Sequence, residues 1–176
     1  MRKLKLEELE RIDVDNYKSL EKQPIVIVLD NIRSAMNVGS FFRTADSFAL
    51  DHIYLTGITA TPPHPEINKT AIGATLSVEW SYQKEVGLVI EKLKNQGYLI
   101  LGIEQTDESV SLESFSYDID QKIALVFGNE VDGISQSLLS HLDVAIEIPQ
   151  FGTKHSLNVA VCGGIVVWDM IRKRLE

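Results

Sequence analysis

Three short stretches of this chain gather side chains of the kinds that chemistry needs. The first, residues 30–46, carries Asn37 and Arg43 six positions apart, followed by Thr44-Ala45-Asp46. Asn37 suits the N-cap of a helix. Arg43 stands between Phe42 and Ala45 in a mostly apolar stretch, where a permanently charged guanidinium needs a partner. That partner is either a ligand or a structural ion pair, with Asp46 at i+3 within reach. The second stretch is Gly128-Asn129-Glu130-Val131-Asp132-Gly133. Its two glycines flank an acidic turn, Gly128 lets a ligand approach the backbone closely, and Glu130 can orient Arg43 or accept a hydrogen bond. An ordinary strand-to-helix turn would look the same. The third runs from Ile146-Glu147-Ile148-Pro149 through a polar loop (residues 150–155) to Ser156-Leu157-Asn158-Val159-Ala160. It reads as a strand end, a loop and a helix start. Such a junction offers free backbone N–H groups and short polar side chains at a strand's carboxyl end, where open α/β sheets bind ligands. Ser156 taken alone is a helix cap.

Other chemistries lose their support. No Gly-x-Gly-x-x-Gly follows the first apolar run, and no Gly-Lys-Ser/Thr occurs, so dinucleotide and P-loop sites are not indicated. The four histidines, His52, His64, His141 and His155, have no metal-ligand spacing, and no metal is expected. The single cysteine, Cys162, lies in an apolar run and reads as a small buried hydrophobe rather than a catalytic thiol.

The elements that must position these groups follow from periodicity. Ile25-Val26-Ile27-Val28-Leu29 is a continuous apolar run of the kind buried on both faces of a parallel sheet. Residues 52–55, 98–103, 122–127 and 144–148 read as four further strands. Helices are expected over residues 37–50, 85–95 (capped by Gly97), 135–142 and about 156–175, with a surface helix or arm over 4–20. Residues 59–69 read as a long loop stiffened by Pro62, Pro63 and Pro65. Strands alternating with helices imply an α/β fold with a mostly parallel sheet flanked by helices.

At 176 residues the chain fits one domain. Its 44% hydrophobic and 24% charged residues are ordinary for a globular protein. No signal-peptide pattern or membrane-length apolar run is present, and a cytoplasmic protein is expected. The net charge of −8, from 17 basic and 25 acidic residues, argues against strong nonspecific nucleic-acid binding but leaves room for a local basic patch. The basic clusters at residues 2–5 and 172–174 read as solvated termini.

Taken together, the three stretches resemble the SpoU (TrmH-like) group of the SPOUT RNA 2′-O-ribose methyltransferases. Asn37 and Arg43 match its motif 1, Gly128 to Gly133 its motif 2 (Gly-x-Glu-x-x-Gly), and Ile148-Pro149 with Ser156-Leu157-Asn158-Val159 its motif 3. The resemblance spans about Pro24 to Leu175, so residues 1–22 are expected to be an N-terminal helical extension and residues 23–176 the methyltransferase domain. It implies a C-terminal deep trefoil knot, a homodimer, S-adenosyl-L-methionine as cofactor, and methyl transfer to a ribose 2′-hydroxyl in tRNA or rRNA. It also implies the site. Arg43, Asn37, Glu130, Ser156 and Asn158 are the expected catalytic set. Ile103, Glu104, Gln105, Phe127, Gly128, Asn129, Ile148, Pro149, Ser156 and Leu157 are expected around the cofactor, largely through backbone. The family arginine is assigned as base or activator; because a guanidinium holds its proton, positioning phosphate and stabilising the alkoxide are the roles that fit. A dimer would gather Arg2, Lys3, Arg33, Arg43, Lys69 and Lys154 into a basic groove. Two other readings stand beside this one: a non-catalytic RNA-binding or assembly factor that keeps the fold, and a flavodoxin-like nucleotide-binding enzyme.

Overall fold

The computed structural model describes residues 1–9, 12–154 and 156–175. It contains a seven-stranded sheet, every pair parallel: β1 (Gln23–Asp30), β2 (Leu50–Thr56), β3 (Trp80–Gln83), β4 (Tyr98–Ile103), β5 (Val110–Ser111), β6 (Lys122–Phe127) and β7 (Val144–Glu147), in the order β3-β2-β1-β6-β4-β7-β5. The chain walks outward from β1 to β3, crosses to β4, and later inserts β6 and β7 into the second half. All carboxyl ends therefore share one edge, and the reversal of strand order is where ligands settle in such sheets.

The central strands explain themselves. Alternate residues of a strand face opposite sides. Ile25, Ile27 and Leu29 of β1, with Ile123, Leu125 and Phe127 of β6, join one core cluster. Val26 and Val28, with Ala124 and Val126, join the other. Helices α2 (Ala35–Ser47), α3 (Pro65–Ala71) and α6 (Val159–Leu175) cover the first face; α4 (Val86–Asn95) and α5 (Gln136–Leu139) cover the second. On the first face the helices approach closely. A Cβ on Gly39 of α2 would lie 2.4 Å from the Ile67 carbonyl of α3, and one on Gly163 of α6 would lie 2.2 Å from the Phe41 ring. Among the described residues no helix is long and apolar enough to cross a membrane.

Several expectations need correction. Two short edge strands, β3 and β5, were not expected. The expected long loop ends at His64, because Pro65 opens α3 at a position where a missing N–H costs nothing. The arm over residues 4–20 is a single-turn helix at Leu6–Leu9 and a short α1 (Val14–Ser19), with residues 10 and 11 outside those described. The arm docks through Tyr17, which is buried and donates to the Ala45 carbonyl at 3.3 Å. The basic C-terminus is not solvated. Lys173 Nζ donates to the Leu112 and Phe115 carbonyls at 2.8 Å each, and Arg174 donates to those of Ile119 and Gln121 while covering the Tyr117 ring. These bonds fasten α6 to the segment between β5 and β6.

Candidate active site at the carboxyl edge of the sheet

A cavity of about 490 Å³ opens where β4, β6 and β7 end side by side, a size suited to a small-molecule ligand. Its walls are the three strand exits and the start of α6. Nine of the ten residues expected around a cofactor line it: Ile103, Glu104, Gln105, Phe127, Gly128, Asn129, Ile148, Ser156 and Leu157. Pro149 does not; it is exposed.

The loop after β6 is pinned from within and from β4. Asn129 Oδ1 accepts from the N–H groups of Val131 and Asp132 at 2.9 and 2.8 Å, a local turn that Asn chemistry favours. Glu104 at the β4 exit accepts from Ile134 N and Gln105 N, both at 2.9 Å. Gly128 is obligatory here, since a Cβ would lie 2.1 Å from the Gly133 carbonyl carbon. Gly133 holds φ at 65°, a left-handed conformation that favours glycine.

Glu130 ties this loop to the first stretch. Its carboxylate accepts from Arg33 N at 2.9 Å, Ser34 N at 3.1 Å and Asn37 Nδ2 at 2.9 Å. Asn37 Oδ1 in turn accepts from Asn158 Nδ2 at 3.1 Å. Asn158 Oδ1 accepts from Ala160 N and Val161 N at 2.9 and 3.2 Å. One relay thus joins three stretches far apart in sequence. Burial opposes charge on Glu130, but the N–H of Arg33, the Asn37 amide and the N–H of Ser34 together carry its pKa below the usual carboxylate value.

The relay corrects three assignments. Ser34, not Asn37, caps α2, accepting from Asn37 N at 3.3 Å. Asn158, not Ser156, caps α6, which begins at Val159; the Ser156 hydroxyl stays exposed in the cavity wall. His155 lies outside the described residues. Finally, Glu130 does not orient Arg43. Arg43 is exposed on another face of α2 and makes no ion pair with Asp46, whose carboxylate accepts from Ser77 instead. Arg43 lines a separate, shallow groove with Lys69, Thr44, Ser47, Thr70 and Gly164. Of the other basic groups, Arg2 pairs with Glu8 and Arg33 with Asp132.

Eight cavity residues were outside the expected site set: Val131, Asp132, Gly133, Ile146, Glu147, Gln150, Val159 and Cys162, all but Cys162 within the second and third stretches. Glu147 was signalled by a carboxylate inside an apolar strand run. Gln150 was signalled only by its place in the polar loop of the third stretch. Cys162 is half-buried and forms part of the wall, rather than being simply core. Burial, with a smaller contribution from the charge of Glu104, pushes its thiol up to about 11. Four carboxylates, Glu104, Glu130, Asp132 and Glu147, line the cavity, and no Lys or Arg does so among the described residues.

Residues 24–168 match the model of the SpoU rRNA Methylase family. The chain is 29% identical over 161 residues to the 23S rRNA (guanosine-2′-O-)-methyltransferase RlmB of Neisseria meningitidis serogroup B, a match covering 92% of this chain and 63% of that protein. It therefore spans less than two thirds of that curated relative. Among solved structures, the TrmH/SpoU tRNA modifying enzyme of A. aeolicus superposes with a TM-score of 0.81 at 23% identity, covering 92% of this chain and 81% of that one. The AdoMet-bound rRNA methyltransferase of Sinorhizobium meliloti gives 0.80 at 23% identity, covering 91% and 61%. Both share the fold.

Three substitutions test the geometry. Asn158→Ala removes the α6 cap and is expected to lower unfolding free energy by about 1 kcal/mol, whereas Ser156→Ala leaves it nearly unchanged; equal losses in urea titrations would refute the cap assignment. The Glu130 contribution has a defined pH sense. A carboxylate whose folded pKa is depressed stabilises fully above its unfolded value, roughly 4.3, and loses that effect as pH falls through the folded value. The gap in melting temperature between wild type and Glu130→Gln should be constant near neutrality and close as pH drops below about 4. A gap independent of pH would show that the charge plays no part.

Proposed function

Because the chain belongs to the SpoU rRNA Methylase family, we propose that it transfers a methyl group from S-adenosyl-L-methionine to a ribose 2′-hydroxyl of tRNA or rRNA. The observation that carries this reading is the sign of the cavity. Glu104, Glu130 and Glu147, with Asp132 already paired to Arg33 and no Lys or Arg lining the cavity among the described residues, favour a ligand with net positive charge, and S-adenosylmethionine carries a sulfonium and an ammonium against one carboxylate. The same wall disfavours the anionic phosphates of a flavin nucleotide or dinucleotide, and so the flavodoxin-like reading. Backbone groups around Gly128 and Ile148, which line the cavity, are neutral and able to hydrogen-bond a ligand.

When bound, the cofactor supplies an electrophilic methyl group that needs orientation rather than activation. The chain's own residues do the remaining work. Glu130, Asn37 and Asn158 hold the β6 exit, α2 and α6 in one register, so they position the reactants and do not exchange protons with them. Ser156 presents its hydroxyl to the cavity and suits a hydrogen bond to the ribose. Arg43 remains the catalytic residue of the proposal: a guanidinium attracts backbone phosphate and stabilises a developing alkoxide. Its place outside the cavity means that substrate, or a second copy of the chain, must bridge the gap. The homodimer belongs to the same proposal. Val161, Ile165 and Trp168 line one exposed side of α6, the last two at 40% and 50% exposure, beside the Arg43 groove that Gly164 also lines. The knot and the cytoplasmic location come with the family reading; packing of Gly163 against Phe41 and the carbonyl anchors of Lys173 and Arg174 support a C-terminal segment held deep in the fold.

Calorimetric titration with S-adenosylmethionine should show binding that Arg43→Ala retains. Mapping of 2′-O-methylation across tRNA and rRNA should show one site lost on deletion of the gene and not restored by Arg43→Ala. Sedimentation equilibrium should give twice the chain mass. Absence of cofactor binding would sink the methyltransferase reading, full activity of Arg43→Ala its mechanism, and a monomer its dimer.

A further inference from the structure

Beyond α3, the indole of Trp80 forms the common wall of two recesses. One, of about 430 Å³, lies under the loop after β2 and reaches Tyr82. The other, of about 460 Å³, is bounded by Pro62, Pro63, Asn68, Thr75 and Leu76. Phe42 meets Trp80 edge-on, with centroids 6.3 Å apart and planes at 83°, so the core sets the orientation of a ring that stays partly exposed. The Asn68 amide and Thr75 hydroxyl have no hydrogen-bond partner among the described residues, nor does the indole N–H. An aromatic wall, an amide able to donate and accept, and a hydroxyl are the groups that hold a flat heterocycle with polar edges.

Charge argues for what the heterocycle is attached to. Lys69 and Thr70 of α3 line the Arg43 groove, while Asn68 and Gly73 line the Trp80 recess, so the two sites flank one short helix. A helix is only ~10 Å across. Neither Arg43 nor Lys69 has an ionic partner among the described residues. The neighbouring carboxylates Glu66 and Glu79 line none of these recesses. Unpaired cations on one side of α3 and a stacking surface on the other match a polyanion that carries planar bases.

We infer that the Trp80 recess seats an unpaired nucleobase of the substrate RNA while its phosphates run over Arg43 and Lys69. The identity of the ligand rests on the methyltransferase reading. The site selects single-stranded or flipped-out nucleotides, since a paired base cannot present its face and its edge together.

The chain has two tryptophans, Trp80 and Trp168. In Trp168→Phe of the 176-residue chain, which keeps an aromatic ring against Phe48, Trp80 is the one indole emitter. Titration with an unpaired RNA octamer should quench its emission to saturation. An abasic ribose-phosphate octamer and a blunt RNA duplex should not. Asn68→Ala, at an exposed helix position, should weaken binding of the unpaired octamer roughly two- to ten-fold, and Trp80→Leu at least about five-fold. Equal quenching by the abasic strand or the duplex would overturn the inference, as would an unchanged affinity in Asn68→Ala. S-adenosylmethionine titration of the same protein separates the two questions. Cofactor binding with a silent Trp80 defeats the nucleobase seat alone; quenching without cofactor binding defeats the methyltransferase reading alone.

Discussion

The structure depends on one carboxylate that can only accept. Glu130 receives two backbone N–H groups and the Asn37 amide, and this fixes the direction of every bond beyond it. Asn37 must turn its NH2 toward the acid, so its carbonyl faces Asn158. Asn158 then answers with its own NH2, and its carbonyl is left facing the open N–H groups of α6. A side-chain amide has two distinguishable ends, and a charge at one end of the relay assigns all of them. The parallel sheet makes this possible, because it delivers the exits of β1, β6 and β7 to one edge although their residues lie 93 and 121 positions apart along the chain.

The relay divides the carboxyl edge into two electrical territories. On the β4, β6 and β7 side the charged side chains that line the cavity are acidic. On the α2–α3 side the groove holds Arg43 and Lys69. An overall charge of −8 hides this separation. A cationic small molecule and an anionic polymer can therefore be drawn to neighbouring places without competing for the same counter-charges, and each keeps its own dependence on ionic strength.

How much of this was legible in the sequence follows from what each signal encodes. Runs such as Ile25 to Leu29 and Lys122 to Phe127 declare buried strands because nothing polar interrupts them, and β6 came out with the expected bounds. The edge strands β3 and β5 were invisible: four and two residues long and half-solvated, they have no apolar run. Cap positions were misplaced because Ser34 and Asn37, or Ser156 and Asn158, are chemically equivalent candidates until the first helical turn is seen. The separation of Arg43 from Glu130 was readable in part. Six residues along an α-helix turn through about 240° beyond one full circle, so Asn37 and Arg43 cannot both face the same acid. The second and third motifs fall on the pocket because its walls are strand exits, whose neighbours the sheet order dictates, while the first motif lies outside the lining. The Arg174 and Lys173 anchors could not be foreseen, since their partners are backbone carbonyls that no residue type advertises.

Cys162 has a consequence for the chemical durability of the protein. Sulfur is the softest nucleophile in the chain, and here it sits in the wall of a cavity proposed for an alkylating agent. Alkylation requires the thiolate. With the thiol pushed up to about 11 by burial and by Glu104, only about one molecule in ten thousand carries it near neutrality. Burial keeps this sulfur protonated, with a smaller contribution from the same carboxylate that bolts down the β6 loop, so the cavity wall is protected from the reagent it would contain.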